Sequence, residues 1–321
     1  MPETYVVTGA AGFIGSHIAE RLLRDGARVR VIDNLLTGKC ENLDFLKSLG
    51  GDLSITIGSI TEGDIMREIC RGADYVLHQA ALPSVPRSIA APLETHKHCV
   101  TGTLNVLIAA RDAGVRRVVY AASGSAYGDQ AGATKVEAML PAPISPYGAA
   151  KLIGEYYAAA FCHSYGLETV SLRYFNVFGP RQDPTSTYAA AIPKFISSML
   201  RGEQPAIYGD GEQTRDFTYV ENIVRGNLLA CAAPDAVGET INLATGGQVA
   251  VNHLVAQLNK ILGTDLAPIH AAERPGDIKH SRADIAKARH LLGFAPTVSF
   301  EEGLRRTVDW YRAYRRPNTV A

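Results

Sequence analysis

The feature that most constrains this fold lies near the N-terminus. The apolar run Tyr5–Thr8 passes directly into Gly9-Ala10-Ala11-Gly12-Phe13-Ile14-Gly15, and an amphipathic stretch, Phe13–Arg24, follows. Three glycines at this spacing are a weak signal alone, but between a strand and a helix their physics applies. Gly9 permits the tight turn, Gly12 lets the backbone approach a pyrophosphate, and Gly15 lets helix and strand pack closely. The helix N–H groups then face the anion. Asp33 ends the next β-rich run, about 20 residues on, where a carboxylate can bind the adenosine ribose hydroxyls. The same charge repels a 2′-phosphate, so the expected cofactor is NAD rather than NADP.

Alternation of β-rich and helical runs continues over the first two-thirds of the chain. Arg28–Ile32, Ser54–Ile57, Tyr75–Leu77, Arg117–Ala121 and Thr169–Arg173 read as strands. Ile65–Cys70, Thr103–Ala113 and Tyr147–Ser164 read as helices between them. This rhythm predicts an α/β fold with a parallel sheet covered on both faces. After Arg173 it breaks: Gly179-Pro180, Pro184, Pro193, Pro205 and Gly209-Asp210-Gly211 punctuate shorter elements. A strand over Thr240–Leu243 and helices near Asn252–Leu262, Asp284–Leu292 and Glu301–Tyr314 are expected next. The predicted organisation is a nucleotide-binding domain over 1–173 with a returning segment at about 216–245. A smaller α/β substrate-binding lobe is expected from 174–215 and 246–321.

Bulk properties narrow the function. The 321 residues can bury a sizeable core, and 32 basic side chains balance 32 acidic ones. No basic footprint therefore points to nucleic acid or an anionic membrane. No apolar run approaches the roughly 20 residues needed to span a bilayer, and the N-terminus enters a strand without a signal-like segment. A cytoplasmic location is expected. The five cysteines, Cys40, Cys70, Cys99, Cys162 and Cys231, form no CxxC pair and read as reduced thiols. His96-Lys97-His98-Cys99 gathers metal-ligand types, but nothing elsewhere completes a set, and no metal is expected. His17, inside the first helix, reads as packing or phosphate-adjacent capping.

Chemistry is expected at Tyr147 and Lys151, four residues apart in Ser-Pro-Tyr-Gly-Ala-Ala-Lys at a helix start, and so on one helix face. A phenol has a pKa of ~10, and mostly phenolate character near neutrality needs a shift of roughly 3 units, about 4 kcal/mol. A lysine ammonium and the positive nicotinamide of NAD⁺ have the right sign to supply it. Ser123 ends another predicted strand, and its hydroxyl can share a substrate proton with Tyr147.

These residues carry a resemblance. The chain resembles the extended short-chain dehydrogenases/reductases of the NAD-dependent epimerase/dehydratase family over nearly its whole length. The carriers are Thr8-Gly-Ala-Ala-Gly-Phe-Ile-Gly15, His78-Gln-Ala-Ala81, the Tyr147/Lys151 pair, Arg173-Tyr-Phe-Asn176, Arg215-Asp216-Phe217 and Arg274-Pro-Gly-Asp277. Leu82-Pro-Ser-Val-Pro-Arg-Ser88 and Tyr174-Phe-Asn-Val-Phe-Gly179 make it most similar to bacterial UDP-N-acetylglucosamine and UDP-glucose 4-epimerases. The resemblance implies a Rossmann-type doubly wound sheet and cofactor contacts from Gly9, Gly12, Phe13, Ile14, Gly15, Asp33, Asn34, Gly38, Ser59, Ile60, Ala80, Tyr147, Lys151 and Tyr174. It implies a UDP-sugar site of Ser84, Ser125, Tyr147, Asn176, Gln182, Tyr208, Arg215, Arg274, Asp277 and Ser281. Two arginines suit a diphosphate. Family members usually have Asn at the position of Cys99 and Asp at that of Ser59, departures that bear on cofactor contacts.

The reaction implied is 4-epimerisation. Tyr147 removes the O4 proton, the C4 hydride passes to NAD⁺, and the 4-keto sugar turns over before hydride returns to its other face. Related dehydratases and decarboxylases place an acid two positions after the catalytic Thr or Ser; here Gly124 and Ser125 follow Ser123. UDP-glucuronate epimerisation or decarboxylation remains the alternative, with Arg87 or Arg181 as the cation for C6, and a non-catalytic NAD-binding regulator is a more distant one. Extra apolar and small residues on Thr103–Ala113 and Tyr147–Ser164 predict a homodimer through these helices.

Overall fold

The computed structural model describes residues 2–130, 132, 134–184, 190–272 and 279–314. Within them the strands in chain order are β1 (Thr4–Thr8), β2 (Arg28–Asp33), β3 (Leu53–Ile57), β4 (Tyr75–His78), β5 (Arg117–Ser123), β6 (Thr134–Lys135) and β7 (Glu168–Tyr174). The short strands β8 (Val177–Phe178), β9 (Ala206–Tyr208), β10 (Thr214–Arg215) and β11 (Thr218–Tyr219) follow. The last four are β12 (Thr240–Leu243), β13 (Val249–Ala250), β14 (Ile269–Ala271) and β15 (His280–Ala283).

Seven of these form one wholly parallel sheet in the order β12-β7-β5-β4-β1-β2-β3. Its central strands are near-continuous apolar runs, as sheets covered on both faces require. Val6, Val7, Val76, Leu77, Val118 and Val119 are all fully buried. Successive strands wind outward from β1 in one direction and from β4 in the other. The reversal opens a crevice beyond their carboxyl ends.

The covering helices are α1 (Phe13–Arg24), α2 (Cys40–Ser48), α3 (Gly63–Cys70), α4 (Val85–Ala90), α5 (Pro92–His96), α6 (Gly102–Asp112) and α7 (Pro146–Tyr165). The helix predicted from Thr103 in fact extends back to Pro92, because a π-helical segment, Lys97–Thr101, joins α5 to α6. That wider turn breaks the 3.6-residue period and hides the continuity from the sequence. It turns Cys99 inward, where its Sγ accepts from Leu82 N at 3.4 Å, while His96 stays exposed. No group of three or more His, Cys, Asp or Glu side chains gathers into a metal cluster among the described residues.

Beyond β7 the chain builds α8 (Ala191–Met199), α9 (Val220–Ala232), α10 (Val251–Leu262), α11 (Ala286–Leu292) and α12 (Phe300–Tyr314). A second core of Phe178, Phe195, Phe217, Leu254, Phe300 and Leu304 holds α8, α10 and α12, while α9 and α11 pack mainly into the core of the large sheet. Phe217 and Phe300 stack with centroids 5.7 Å apart. A four-stranded sheet, β13-β10-β15-β6, lies beside it, and β8 pairs with β11. Helix α11 starts at Ala286 rather than Asp284, because the Asp284 carboxylate accepts Ala286 N at 2.7 Å and stays outside the helix as a turn. No described helix is long and apolar enough to cross a membrane.

Two histidines, His17 of α1, half-buried, and His78 of β4, fully buried, have their pKa values pushed down. His17 donates from Nδ1 to Phe13 O (2.9 Å), and burial, reinforced by Arg181, pushes its pKa down to about 3. His78 bridges Thr8 Oγ1 (2.7 Å) and Thr103 Oγ1 (3.0 Å), and burial, with Lys151, pushes it down to about 3 as well. An unfolded histidine takes a proton near pH ~6.5, so the unfolded chain binds more protons than the fold below that pH. Stability is therefore predicted to fall as pH drops from about 6.5 toward about 3, each histidine costing about 1–2 kcal/mol by pH 5. Thermal melts of wild type and His17→Gln at pH 7 and pH 5 check this. The variant should lose less on acidification, and an equal loss would refute the assignment.

Candidate active site

The crevice is built from the carboxyl ends of the strands. Gly9 adopts φ +73°, donates to Ile32 O at 2.8 Å, and packs so tightly that a Cβ would lie 2.8 Å from the Ala80 backbone. A Cβ at Gly15 would lie 2.2 Å from Gly9 O, so only glycine lets α1 start this close to β1. Asp33 ends β2 beneath the turn and accepts Ala11 N at 2.9 Å and Leu35 N at 2.8 Å. Burial pushes its carboxyl above the usual range, and the N–H groups of Leu35, Ala11 and Gly12 act against that shift. Its oxygens retain lone pairs for ribose hydroxyls.

Two elements bring the reacting groups together. Ser145 caps α7 by accepting Gly148 N at 3.1 Å, and Pro146 occupies the first helical position. Tyr147 and Lys151 thus share the helix face turned to β5, whose last residue is Ser123. Burial, with Cys99, raises the proton affinity of the Tyr147 phenol, and the Ser123 side chain acts against that shift. The Ser123 hydroxyl also donates to Ser125 Oγ at 3.1 Å and accepts Ser125 N at 3.2 Å. Lys151 is buried, and burial pulls its ammonium below the ordinary lysine range. Its Nζ donates to Ala121 O at 2.7 Å and lies 4.9 Å from the Tyr120 ring centroid. The one-face placement of Tyr147 and Lys151 is therefore realised, with the ammonium aimed at the end of β5.

These residues line a cleft of about 920 Å³. Of the predicted residues it gathers Gly9, Gly12, Phe13, Ile14, Gly15, Asp33, Asn34, Gly38, Ile60 and Ala80 on the nucleotide side. Ser84, Ser123, Tyr147, Lys151, Tyr174, Asn176 and Gln182 complete the list. A second cavity of about 620 Å³ holds Tyr208 and Arg215 and shares Asn176, Val177 and Ala190 with the first. Asn176 sits at this junction with φ +33°, a region that asparagine tolerates better than most residues. The glycine turn, the Asp33 carboxylate and the cleft volume together fit a dinucleotide.

Other predicted residues fall elsewhere. Ser59 does not line the cleft: its hydroxyl bonds Thr61 Oγ1 at 2.8 Å and its N–H donates to Glu62 at 3.0 Å, so its polar groups serve their own loop. Ser125 touches the cleft only through Ser123. Ser281 pairs with Arg215 across β10 and β15 but lines neither cavity among the described residues. Arg274 and Asp277 lie outside the described residues.

Some cleft contacts escaped sequence reasoning. Lys39 and Asp183 pair at 3.2 Å, one on each side of the cleft mouth, and Arg181 pairs with Glu20 while its guanidinium lies 4.8 Å from the Phe45 ring centroid. Gln79 and Tyr174 share Asn227 of α9 as a hydrogen-bond partner, at 3.1 and 2.9 Å. Gln79 and Tyr174 had local signals, in His78-Gln-Ala-Ala81 and Arg173-Tyr-Phe-Asn176, and Arg181 had been named as a cation, but Lys39, Asp183 and Asn227 had none.

Comparison with known proteins agrees with this geometry. The model of the NAD dependent epimerase/dehydratase family matches residues 5–244. UDP-glucose 4-epimerase of Mycolicibacterium smegmatis is 35% identical over 309 residues, 96% of this chain and 98% of that protein. The solved structure of UDP-N-acetylglucosamine 4-epimerase from Methanobrevibacter ruminantium M1, in complex with UDP-N-acetylmuramic acid, superposes with a TM-score of 0.93 at 43% identity, covering 98% of this chain and 100% of that one. UDP-glucuronic acid 4-epimerase from Bacillus cereus, in complex with UDP-glucuronic acid and NAD, has a TM-score of 0.89 at 33% identity, covering 97% and 99%. This chain belongs to the NAD dependent epimerase/dehydratase family and is an NAD-dependent enzyme.

Proposed function

We propose that this enzyme is a UDP-hexose 4-epimerase acting on UDP-GlcNAc and UDP-GalNAc, and also on UDP-glucose and UDP-galactose. The observation that carries the reading is the junction of the two cavities. Tyr147 and Ser123 stand in the cleft that fits the dinucleotide, and the adjoining cavity offers Arg215 and Tyr208 to a second nucleotide. A hexose linking the two would lie at Asn176, within reach of the phenol.

Tyr147 takes the O4 proton and later returns it, Ser123 orients the same hydroxyl, and Lys151 holds a positive charge at the end of β5. NAD⁺, when bound, takes up the C4 hydride and gives it back. Elimination or decarboxylation would need a further acid after Ser123. A Cβ at Gly124 would already lie 3.0 Å from the Phe175 ring, and Ser125 is engaged with Ser123. Carboxylate substrates would need a cation at C6. Glu20 already balances the charge of Arg181, although its Nη1 is buried with no hydrogen-bond partner among the described residues. That pairing takes Arg181 out of the role, while Arg87, which also lines the cleft, is the cation a carboxylate substrate would have to use.

Two features favour an N-acetyl group. Gln182 Oε1 is a buried acceptor with no partner among the described residues, suited to an acetamide N–H. Ser281, the register partner of Arg215, is small at the position that in related epimerases lies beside the sugar's C2 substituent, where a bulkier side chain would close the pocket. We also propose a homodimer through the α6–α7 face. On α7, Tyr156 is 59% exposed and Ile153, three residues away on the same side, is 37% exposed, and Leu93 of the adjoining α5 is 84% exposed.

Three outcomes are expected. Tyr147→Phe should keep the fold and bound NAD but lose roughly 10²–10⁴-fold in turnover; more than half the wild-type rate would sink the assignment. Ser281→Tyr should lower kcat/KM for UDP-GlcNAc far more than for UDP-glucose, because a clash excludes more sharply than a contact attracts. Unchanged UDP-GlcNAc activity would show that Ser281 is not the gate. Light scattering should give twice the 34.4 kDa of one chain, and a monomer mass at micromolar concentration would refute the dimer.

A further inference from the structure

Asp216 carries no part of the chemistry above, yet it joins the structures that do. It follows β10, is fully buried, and uses both carboxylate oxygens. Oδ1 accepts Thr245 N at 3.0 Å and the Thr245 hydroxyl at 2.6 Å. Oδ2 accepts Gly246 N at 2.9 Å and Ala283 N at 3.3 Å. The leading influences on its charge are its own burial and these four donors, with no cation among them. An unpaired buried carboxylate persists only where such donors converge.

The donors come from two sheets. Thr245 and Gly246 follow β12, the edge strand of the seven-stranded sheet, whereas Ala283 ends β15 of the small sheet. Arg282 reinforces the seam by donating from Nε to Gly246 O at 2.8 Å. Directly before Asp216, Arg215 faces its register partner Ser281.

We propose that Asp216 is a positioning residue. It fastens the small sheet carrying Arg215 and Ser281 to the edge of the cofactor-binding sheet, and so holds the second cavity in register for its nucleotide. This rests on reading that cavity as a UDP site. An amide at position 216 keeps the volume, but its NH₂ must face backbone N–H donors in either orientation, so at least one side of the seam opens. Substrate affinity, rather than the proton transfer at Tyr147, should suffer.

The test uses the NAD-loaded enzyme and UDP as the probe in calorimetry. Wild type is compared with Asp216→Asn, Thr245→Val and Thr245→Ser. Asp216→Asn should weaken UDP binding about tenfold or more, the scale of a lost charge-assisted hydrogen bond. It should raise KM by a similar factor, leave kcat within about threefold and leave NAD content unchanged. The Gly246 and Ala283 amides should exchange hydrogen faster in this variant. Thr245→Val, which removes the hydroxyl that donates to Asp216 and accepts Gly247 N at 3.0 Å, should weaken UDP several-fold, and Thr245→Ser should restore it. If Asp216→Asn fails to fold, the Thr245 pair decides. UDP affinity within about twofold of wild type in the folded variants would overturn the proposal. A wild type that binds no UDP would instead overturn the nucleotide reading, and this proposal with it.

Discussion

The close approach of α1 to β1 is the constraint on which the rest depends. With no side chain at Gly15, the first turn of α1 sits against Gly9 O, and its free N–H groups open into the crevice instead of being blocked. Once β1 and β2 are fixed around this turn, parallel pairing brings Gly9, Asp33, Gln79, Ser123 and Tyr174 to the same edge of the sheet. Parallel strands share a direction, so their carboxyl ends are necessarily neighbours. The active site is a consequence of that geometry and needs no long loop to assemble it.

Charge is buried around this edge only where it is matched. Arg173 and Glu155 form a bidentate pair at 2.9 and 2.6 Å, with side chains 4% and 3% exposed, and Arg173 also lies 4.4 Å from the Tyr127 ring centroid. Such a pair adds little net stability, because desolvation offsets most of the attraction, but removing one partner is costly. Its value lies in location: Glu155 is one turn beyond Lys151 and helps hold that ammonium charged against the burial that opposes it. Asp33 and Asp216 face the same problem without a cation and meet it with backbone N–H donors, joined at Asp216 by the Thr245 hydroxyl.

Much of this was legible in the chain. The strand–turn–helix opening, Asp33, the alternation to β7, the strand at Thr240–Leu243 and the Tyr147/Lys151 spacing are local patterns, and local patterns survive in sequence. Other features depend on distant partners. The π-helical segment erased the period that would have joined α5 to α6. The Lys39–Asp183 and Arg181–Glu20 pairs link residues whose neighbours in sequence say nothing of one another. Ser59 illustrates the converse, a position assigned by likeness whose polar groups the fold spends on its own loop.

By itself the sequence determined the sheet, the glycine turn, the carboxylate that meets it and the catalytic pair, because each is encoded within one element or one turn of helix. Tertiary structure alone decided which way the Lys151 ammonium points, that two cavities share Asn176, and that Asp216 rivets one sheet to the other. These depend on contacts between residues tens of positions apart, 29 between Asp216 and Thr245 and 67 between Asp216 and Ala283. No periodicity or spacing along the chain records such contacts; only the packing of its two cores brings them about.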